Sequence, residues 1–345
     1  MLRVAVAGGS GYIGGELLRL LIGHPRVEVA LATSDSLAGR RLDSAHPNLR
    51  GRTDLTFVPH DALPERRDSY DVLFLALPHK RTMGAMAGHL ELADTVIDLS
   101  GDFRLRDPRV FADYYETPHT APELIGTFTT GLPEWHRDEL RTSDRISVPG
   151  CMATAGILAV RPLAEAGLLT GEVAVDARTG SSGSGVSAGP ANLHAERSGA
   201  MRLFAPTSHR HEAEIAQSTG LPVRMTATGV EAVRGVQVLC RVQLADGVRE
   251  ADLRGAYRKA YDGEPFVRTV AYKRGAYRLP EPKILSGSNF CDVGFVVDPH
   301  GTWATLVGAL DNLVKGGAGN AVQCLNVRYG WPDETGLEFF GLHPN

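Results

Sequence analysis

Cysteine is scarce in this chain: four among 345 residues, Cys151, Cys240, Cys291 and Cys324. They lie far apart with no C-x-x-C pair, which sets aside a zinc ribbon and a disulfide-stapled fold. A basic excess is missing too. The formal net charge is -4, so there is no general surplus of cations to neutralise phosphates, and no nucleic-acid partner is expected. No apolar run reaches the length of a membrane span. The opening "LRVAVAGG" lacks a charged leader, apolar stretch and cleavage site. Together these absences lead us to expect a reduced, cytoplasmic protein without membrane contact.

What is present is globular: 43% hydrophobic and 22% charged residues, in a length sufficient for two domains. The first third alternates strand and helix signals. "LRVAVAG", "VEVALATS", "DVLFLALP" and "TVIDLS" read as buried strands. "GGELLRLLIGH" reads as a helix with Leu17, Leu18 and Leu21 on one side, and "RTMGAMAGHLEL" as another. Such alternation predicts an α/β domain with a parallel sheet covered on both faces. After Cys151 come longer alternating strands, "GVQVLCRVQL" and "NFCDVGFVVD", around a helix "READLRGAYRKAYDG". This part reads as an α+β domain with a mostly antiparallel sheet.

Between the first strand and first helix stand Gly8, Gly11 and Gly14, spaced G-x-x-G-x-x-G. Glycines there let the backbone approach a pyrophosphate, and a helix N-terminus offers N–H donors. Ser10 adds a hydroxyl. After the second strand, "TSDSLAGRR" carries two opposed signals. Asp35 suits a ribose 2′-hydroxyl and NAD; Arg40 and Arg41 suit a 2′-phosphate and NADP. The residues alone leave both open.

"RISVPGCMATAGILAV" places Cys151 where a strand turns through Pro149 and Gly150 into a helix. A helix N-terminus stabilises a thiolate, so this position suits a nucleophile. Cys240 and Cys291 fall within predicted strands and Cys324 within a predicted helix, where small buried hydrophobes are expected. "SHRHEAEIA" offers acid–base partners in His209 and His211, with Glu212 or Glu214 to orient one of them. The spacing is not that of a helical metal site, and no metal is expected. Two histidines lining a helix start is the plainer alternative. Arg210 between them is placed to clasp an anionic substrate group.

With "GGSGYIGGELLRLL", "HPNLRG", "LALPH", "DLSGDFRL", "PGCMAT", "SHRHEAEI" and "DNLVKGGAGNAVQCLN" in hand, the chain resembles the N-acetyl-gamma-glutamyl-phosphate reductase family, a relative of aspartate-semialdehyde dehydrogenase. The resemblance implies a Rossmann-type dinucleotide-binding domain of residues 1–150 and 313–345, around a catalytic and dimerisation domain of residues 151–312. It implies Cys151 as nucleophile and the histidine pair as acid/base, His211 ahead of His209. It implies NADP as cofactor, with contacts from Ser10, Gly11, Tyr12 and Ile13, from Ser34, Asp35 and Ser36, and from Asn312. The sequence departs from the family at "MAT" after the cysteine and at Asp35, where arginine is common.

"AGPANLHAERSGAMRLFAPTSHRH" and "GWPDETGLEFFGLHP" look like the lysine-pathway branch of that family. Its members reduce aminoadipate 6-phosphate whose amino group is held by a small acidic carrier protein. The implied reaction is reduction of an acyl phosphate through a Cys151 thioester, in a homo-oligomer, dimer or tetramer. The "GSSGSG" loop, with Ser182, is then expected to meet the phosphate, and Arg197, Arg202 and Arg210 to meet the carrier. A thiol or metal hydrolase would leave the glycine loop idle, and a binding protein with a defunct site would not need Cys151 and both histidines.

Overall fold

The computed structural model describes residues 1–190 and 192–344. The chain divides into two compact units, Met1–Pro149 with Gly317–Glu338, and Gly150–Gly316 with Phe339–Asn345. Among the described residues no helix is long and apolar enough to cross a membrane.

The first unit is built on seven parallel strands: β1 (Leu2–Ala7), β2 (Val27–Thr33), β3 (Phe57–Val58), β4 (Val72–Leu75), β5 (Thr95–Asp98), β6 (Thr129–Thr130) and β7 (Arg145–Ser147). Their order is β3-β2-β1-β4-β5-β7-β6. The helix Tyr12–Gly23 buries Leu17, Leu18 and Leu21 as its spacing requires. The order reverses between β1 and β4, so the loop after β1 opens at a switch point, where such sheets bind ligands. "RTMGAMAGHLEL" is helical only over Met86–Leu90. Helix Gly319–Arg328 is buried along Gly319–Val327, with Asn320 donating to the Gly131 carbonyl at 2.6 Å.

Beyond β5 lies a buried polar chain. Asp98 accepts from the Ser100 N–H and hydroxyl, at 2.9 and 2.8 Å. Ser100 Oγ is 2.6 Å from Thr82 Oγ1, which donates to Asp102. Asp102 also accepts the backbone N–H groups of Lys80, Thr82 and Met83. "LALPH" and "DLSGDFRL" are thereby pinned together. Full burial pushes the Asp98 carboxyl up to about 7, against the lowering effect of the Ser100 bonds.

The second unit carries β8 (Leu169–Thr179), β9 (Arg202–Ala205), β10 (Val223–Gly229), β11 (Val236–Leu244), β12 (Val267–Thr269), β13 (Cys291–Val297) and β14 (Trp303–Leu310), in the order β12-β13-β14-β11-β8-β10-β9. Pairs β9/β10, β8/β11, β11/β14 and β13/β14 are antiparallel, and β8/β10 and β12/β13 parallel. The expected mostly antiparallel sheet is what forms. Helix Cys151–Glu165 lies on it so closely that a Cβ on Gly308 would stand 2.4 Å from the Ala155 carbonyl. Pro162 inside that helix has no N–H for the Leu158 carbonyl, and Tyr261 Oη donates to it at 2.6 Å instead.

The C-terminal segment corrects the expectation of a single return to the first domain. Residues 313–316 and 339–344 belong with the second unit. Phe340 stacks on Phe290, and Gly341 lies against the Ile284 carbonyl, which holds the tail there.

Candidate active site

The nucleotide end is set by sterics. Gly8 has φ +82°, and a Cβ there would meet the Ala76 carbonyl at 2.5 Å; one on Gly14 would meet the Gly8 carbonyl at 2.2 Å. Packing alone demands those two glycines. Gly11 differs: its φ is -77°, and the nearest atom to a Cβ would be 3.8 Å away. The chain itself does not need glycine at that helix start, which carries no side-chain cap. The open space is a cradle that fits a pyrophosphate approaching the N–H groups of Tyr12 and Ile13.

Ser10 Oγ lies 2.8 Å from Ser34 Oγ, which is 3.4 Å from Ser36 Oγ. Asp35 stays exposed, with one oxygen accepting the His60 N–H at 2.9 Å. The Arg41 guanidinium is held by Asp43 and Asp54. Arg40 is exposed and makes no side-chain hydrogen bond among the described residues. Two histidines of this loop escaped sequence reasoning. His46 Nε2–H donates to the Gly9 carbonyl at 2.7 Å, and its ring occupies the space beside Gly15. His60 Nδ1 bonds Thr33 Oγ1, which accepts the Gly8 N–H. "HPNLRG" held the first signal, without a role attached to it.

At the other end, Cys151 is the first residue of its helix and partly exposed. Cys240, Cys291 and Cys324 are buried, and burial pushes the Cys240 thiol up to about 12. Gly156 brings helix Arg210–Thr219 in tight, because a Cβ there would be 2.6 Å from Ile215. That approach sets the His211 ring against Gly150, where a Cβ would lie 2.0 Å from Nε2. Glu214 braces both: one oxygen accepts the Gly150 N–H at 2.8 Å, and the other is 3.9 Å from His211 Nε2. Glu212 serves the fold, accepting the Met225 N–H at 2.7 Å. His209 caps the helix, its Nδ1 accepting the His211 N–H at 3.2 Å. Ser208 before it has φ +56°, in the left-handed region that strains a non-glycine residue. Gly316 was also missed; a Cβ on it would stand 2.5 Å from that of Cys151.

Other expected contacts are placed differently. Ser182 and Asn312 meet at 2.9 Å in a buried hub, where Ser182 donates to Val233 and Asn312 accepts the Gly235 N–H. The "GSSGSG" loop turns its Ser181 and Ser182 N–H groups to the Ala232 and Val233 carbonyls, so it is no open nest for phosphate. Arg197 is buried and donates to the Val230 and Thr179 carbonyls. Arg202 donates to the Pro190 and Glu196 carbonyls. Burial takes Arg197 out of reach of a carrier, which corrects that expectation for Arg197, whereas the Arg202 side chain stays 39% exposed. Arg210 keeps a buried Nε with no hydrogen-bond partner among the described residues, as does Arg197.

Two adjoining family models match the chain: the semialdehyde dehydrogenase NAD binding domain over residues 3–143 and the semialdehyde dehydrogenase dimerisation domain over residues 151–312. The chain belongs to the semialdehyde dehydrogenase family of oxidoreductases, and its first unit is the family's nicotinamide-dinucleotide domain. A Deinococcus radiodurans protein named LysW-L-2-aminoadipate 6-phosphate reductase is 43% identical over 99% of this chain and 98% of its own. A Thermomicrobium roseum protein provisionally given the same name is 48% identical over 100% and 99%. Aspartate semialdehyde dehydrogenase II of Vibrio cholerae shares the fold, with a TM-score of 0.72 at 16% identity over 96% of this chain and 98% of that one. The resemblance to the lysine-pathway branch and the fold class are borne out.

Proposed function

We propose that this chain reduces the side-chain acyl phosphate of 2-aminoadipate, held through its amino group by a small carrier protein, to the semialdehyde with release of phosphate. The observation that carries the chemistry is the His211 ring lodged against Gly150, one residue from the Cys151 thiol and braced by Glu214. The substrate rests on the names of the relatives at 43% and 48% identity.

A bound nicotinamide dinucleotide supplies the hydride. Every other step falls to the chain's own residues. Cys151 Sγ attacks the acyl carbon, the C–O bond to phosphate breaks, and a thioester forms. After reduction His211 gives a proton to the oxygen of the tetrahedral thiohemiacetal and takes it back as the C–S bond breaks, restoring the thiolate. Glu214 positions His211, and Arg210 holds an anionic group of the substrate. Gly8, Ser10 and Gly11 to Gly14 would hold the pyrophosphate of that cofactor.

We assign the cofactor as NADPH. Arg40 with the Ser34 and Ser36 hydroxyls would hold a 2′-phosphate, while the Asp35 carboxylate accepts the His60 N–H. The second unit, matching a dimerisation domain, is the self-association surface of a homo-oligomer.

Consumption of NADPH with carrier-linked aminoadipyl phosphate, set beside N-acetylglutamyl phosphate, tests the reading. Preference for the carrier-linked substrate is expected; preference for the acetylated one would return the chain to arginine synthesis. Dual use of carrier-linked glutamyl phosphate is a second reading. It is favoured by a Haloarcula marismortui relative, 46% identical over 99% of this chain and 97% of its own, provisionally named for both substrates. One methylene discriminates by only about 1–3 kcal/mol.

A further inference from the structure

Arg197 is buried and Arg202 is bonded to two backbone carbonyls, and a denser basic surface lies elsewhere in the same unit. The stretch 267–283 holds five cations, Arg268, Lys273, Arg274, Arg278 and Lys283, against one acid, Glu281, in a chain of net charge -4. The Tyr272 N–H donates to the Arg278 carbonyl at 3.0 Å, closing a turn whose tip is Lys273, Arg274 and Gly275. Lys273, Arg274 and Arg278 are exposed and form no ion pair among the described residues.

The same turn carries apolar surface. Tyr272 is 64% exposed and Tyr277 50%. Tyr277 Oη is 3.0 Å from His343 Nε2, which ties the turn to the C-terminal tail, where Phe340 is 78% and Leu342 54% exposed. Exposed aromatics beside unpaired arginines are the composition of protein interfaces rather than of an idle surface. We infer that the turn 272–278 and the tail 339–343 form the docking surface for an acidic face of the carrier protein. This rests on the carrier-linked reading given above.

Two further observations favour that occupant. The tail connects to the Cys151 helix start through contacts within its own unit. The Phe339 ring lies against Gly287, and the Gly287 N–H donates to Asp311 Oδ2 at 2.6 Å. The Asp311 carbonyl accepts the Gly316 N–H, and Gly316 abuts Cys151. Gly287, Asp311 and Gly316 thus link the tail to the nucleophile that the carrier's cargo must reach. A second copy of the chain fits less well, because a two-fold contact sets the same patch against itself and would bring these cations together with few acids to offset them.

The test pairs a charge reversal, Lys273→Glu with Arg274→Glu and Arg278→Glu, with a separate Phe340→Ala, both in the full chain. Steady-state kinetics use carrier-linked aminoadipyl phosphate at low and high ionic strength, and N-acetylglutamyl phosphate as the untethered control. In the wild type, KM for the carrier-linked substrate should rise with salt. The triple variant should raise that KM about tenfold or more at low salt and lose the salt dependence, while turnover of the untethered control and NADPH affinity stay unchanged, which also shows the variant folded. Phe340→Ala should raise the same KM without altering its salt dependence. If the wild type shows no preference for the carrier-linked substrate, the functional reading fails first and takes this one with it. If it shows that preference and the triple variant keeps the wild-type KM, the surface alone is overturned. Loss of self-association with unchanged carrier kinetics gives the surface to a second copy and also overturns the inference.

Discussion

His209 and His211 are two residues apart with rings 4.5 Å from each other, yet the fold gives them different work. One nitrogen of His209 is committed to the helix it caps, whereas His211 faces Gly150 beside the thiol. If His211 is the proton-transfer group proposed above, His211→Ala should lower kcat by about 10²–10⁴ with little change in NADPH affinity. His209→Ala should chiefly lower stability, by about 0.5–2 kcal/mol, the range for a lost cap. Turnover and thermal melts on both variants check the split, and the reverse pattern would exchange the two roles. The arginines of the second strand's loop divide similarly. Arg41 is engaged by Asp43 and Asp54, so Arg41→Ala should leave KM for NADPH nearly unchanged. Arg40→Ala should raise KM for NADPH more than for NADH; equal effects on both would restore Asp35 as a ribose ligand.

Among the elements, the glycine loop depends on a residue far from it in sequence. His46 holds the Gly9 carbonyl and fills the room beside Gly15. We expect His46→Ala to weaken NADPH binding about tenfold or more, the size of one buried hydrogen bond lost. Turnover at saturating NADPH should hold, and His46→Gln, which keeps a donor, should recover part of the affinity. Fluorescence titration of NADPH reads this directly; unchanged affinity in the alanine variant would reduce His46 to packing. The loop and its helix were legible because glycine spacing and a leucine stripe are local signals, as was the Cys151 helix start. His46 was not, because a long-range hydrogen bond from a side chain leaves no periodicity. The edge strand β9 escaped for a different reason: "RLFA" is four residues long and exposes Leu203 and Phe204, so it lacks a buried alternation. "GSSGSG" reads as a loose loop by composition, but its backbone donors are taken by the Ala232 and Val233 carbonyls, a pairing across about fifty residues that composition cannot register.

At the scale of the whole molecule, the sequence announced two domains through a change of texture near Cys151, while the tail's return to the second unit depended on contacts of Phe340 and Gly341 that no pattern displays. The stability of the whole chain also carries a term invisible in the sequence, the fully buried Asp98 beneath Ser100. Its folded pKa of about 7 lies above the ordinary 3.8, so folding favours the protonated carboxyl. The sign follows: this group adds no penalty below about pH 4, destabilises progressively as pH climbs towards 7, and costs a constant amount above that. Asp98→Asn mimics the protonated acid, since its amide N–H can donate to Ser100 Oγ while its oxygen keeps the Ser100 N–H. The variant should melt higher than the wild type, with a gap that is small near pH 4 and widens to pH 8, up to a ceiling of about 4 kcal/mol. Asp102→Asn should do the opposite. All four of that carboxylate's contacts are donors, so an amide NH₂ would face N–H groups and cost about 1–3 kcal/mol or more at neutral pH. Thermal melts of both variants across that pH range decide it. A gap for Asp98→Asn that does not change with pH would mean that Asp98 is ionised in the folded chain, and that the Ser100 donors outweigh its burial.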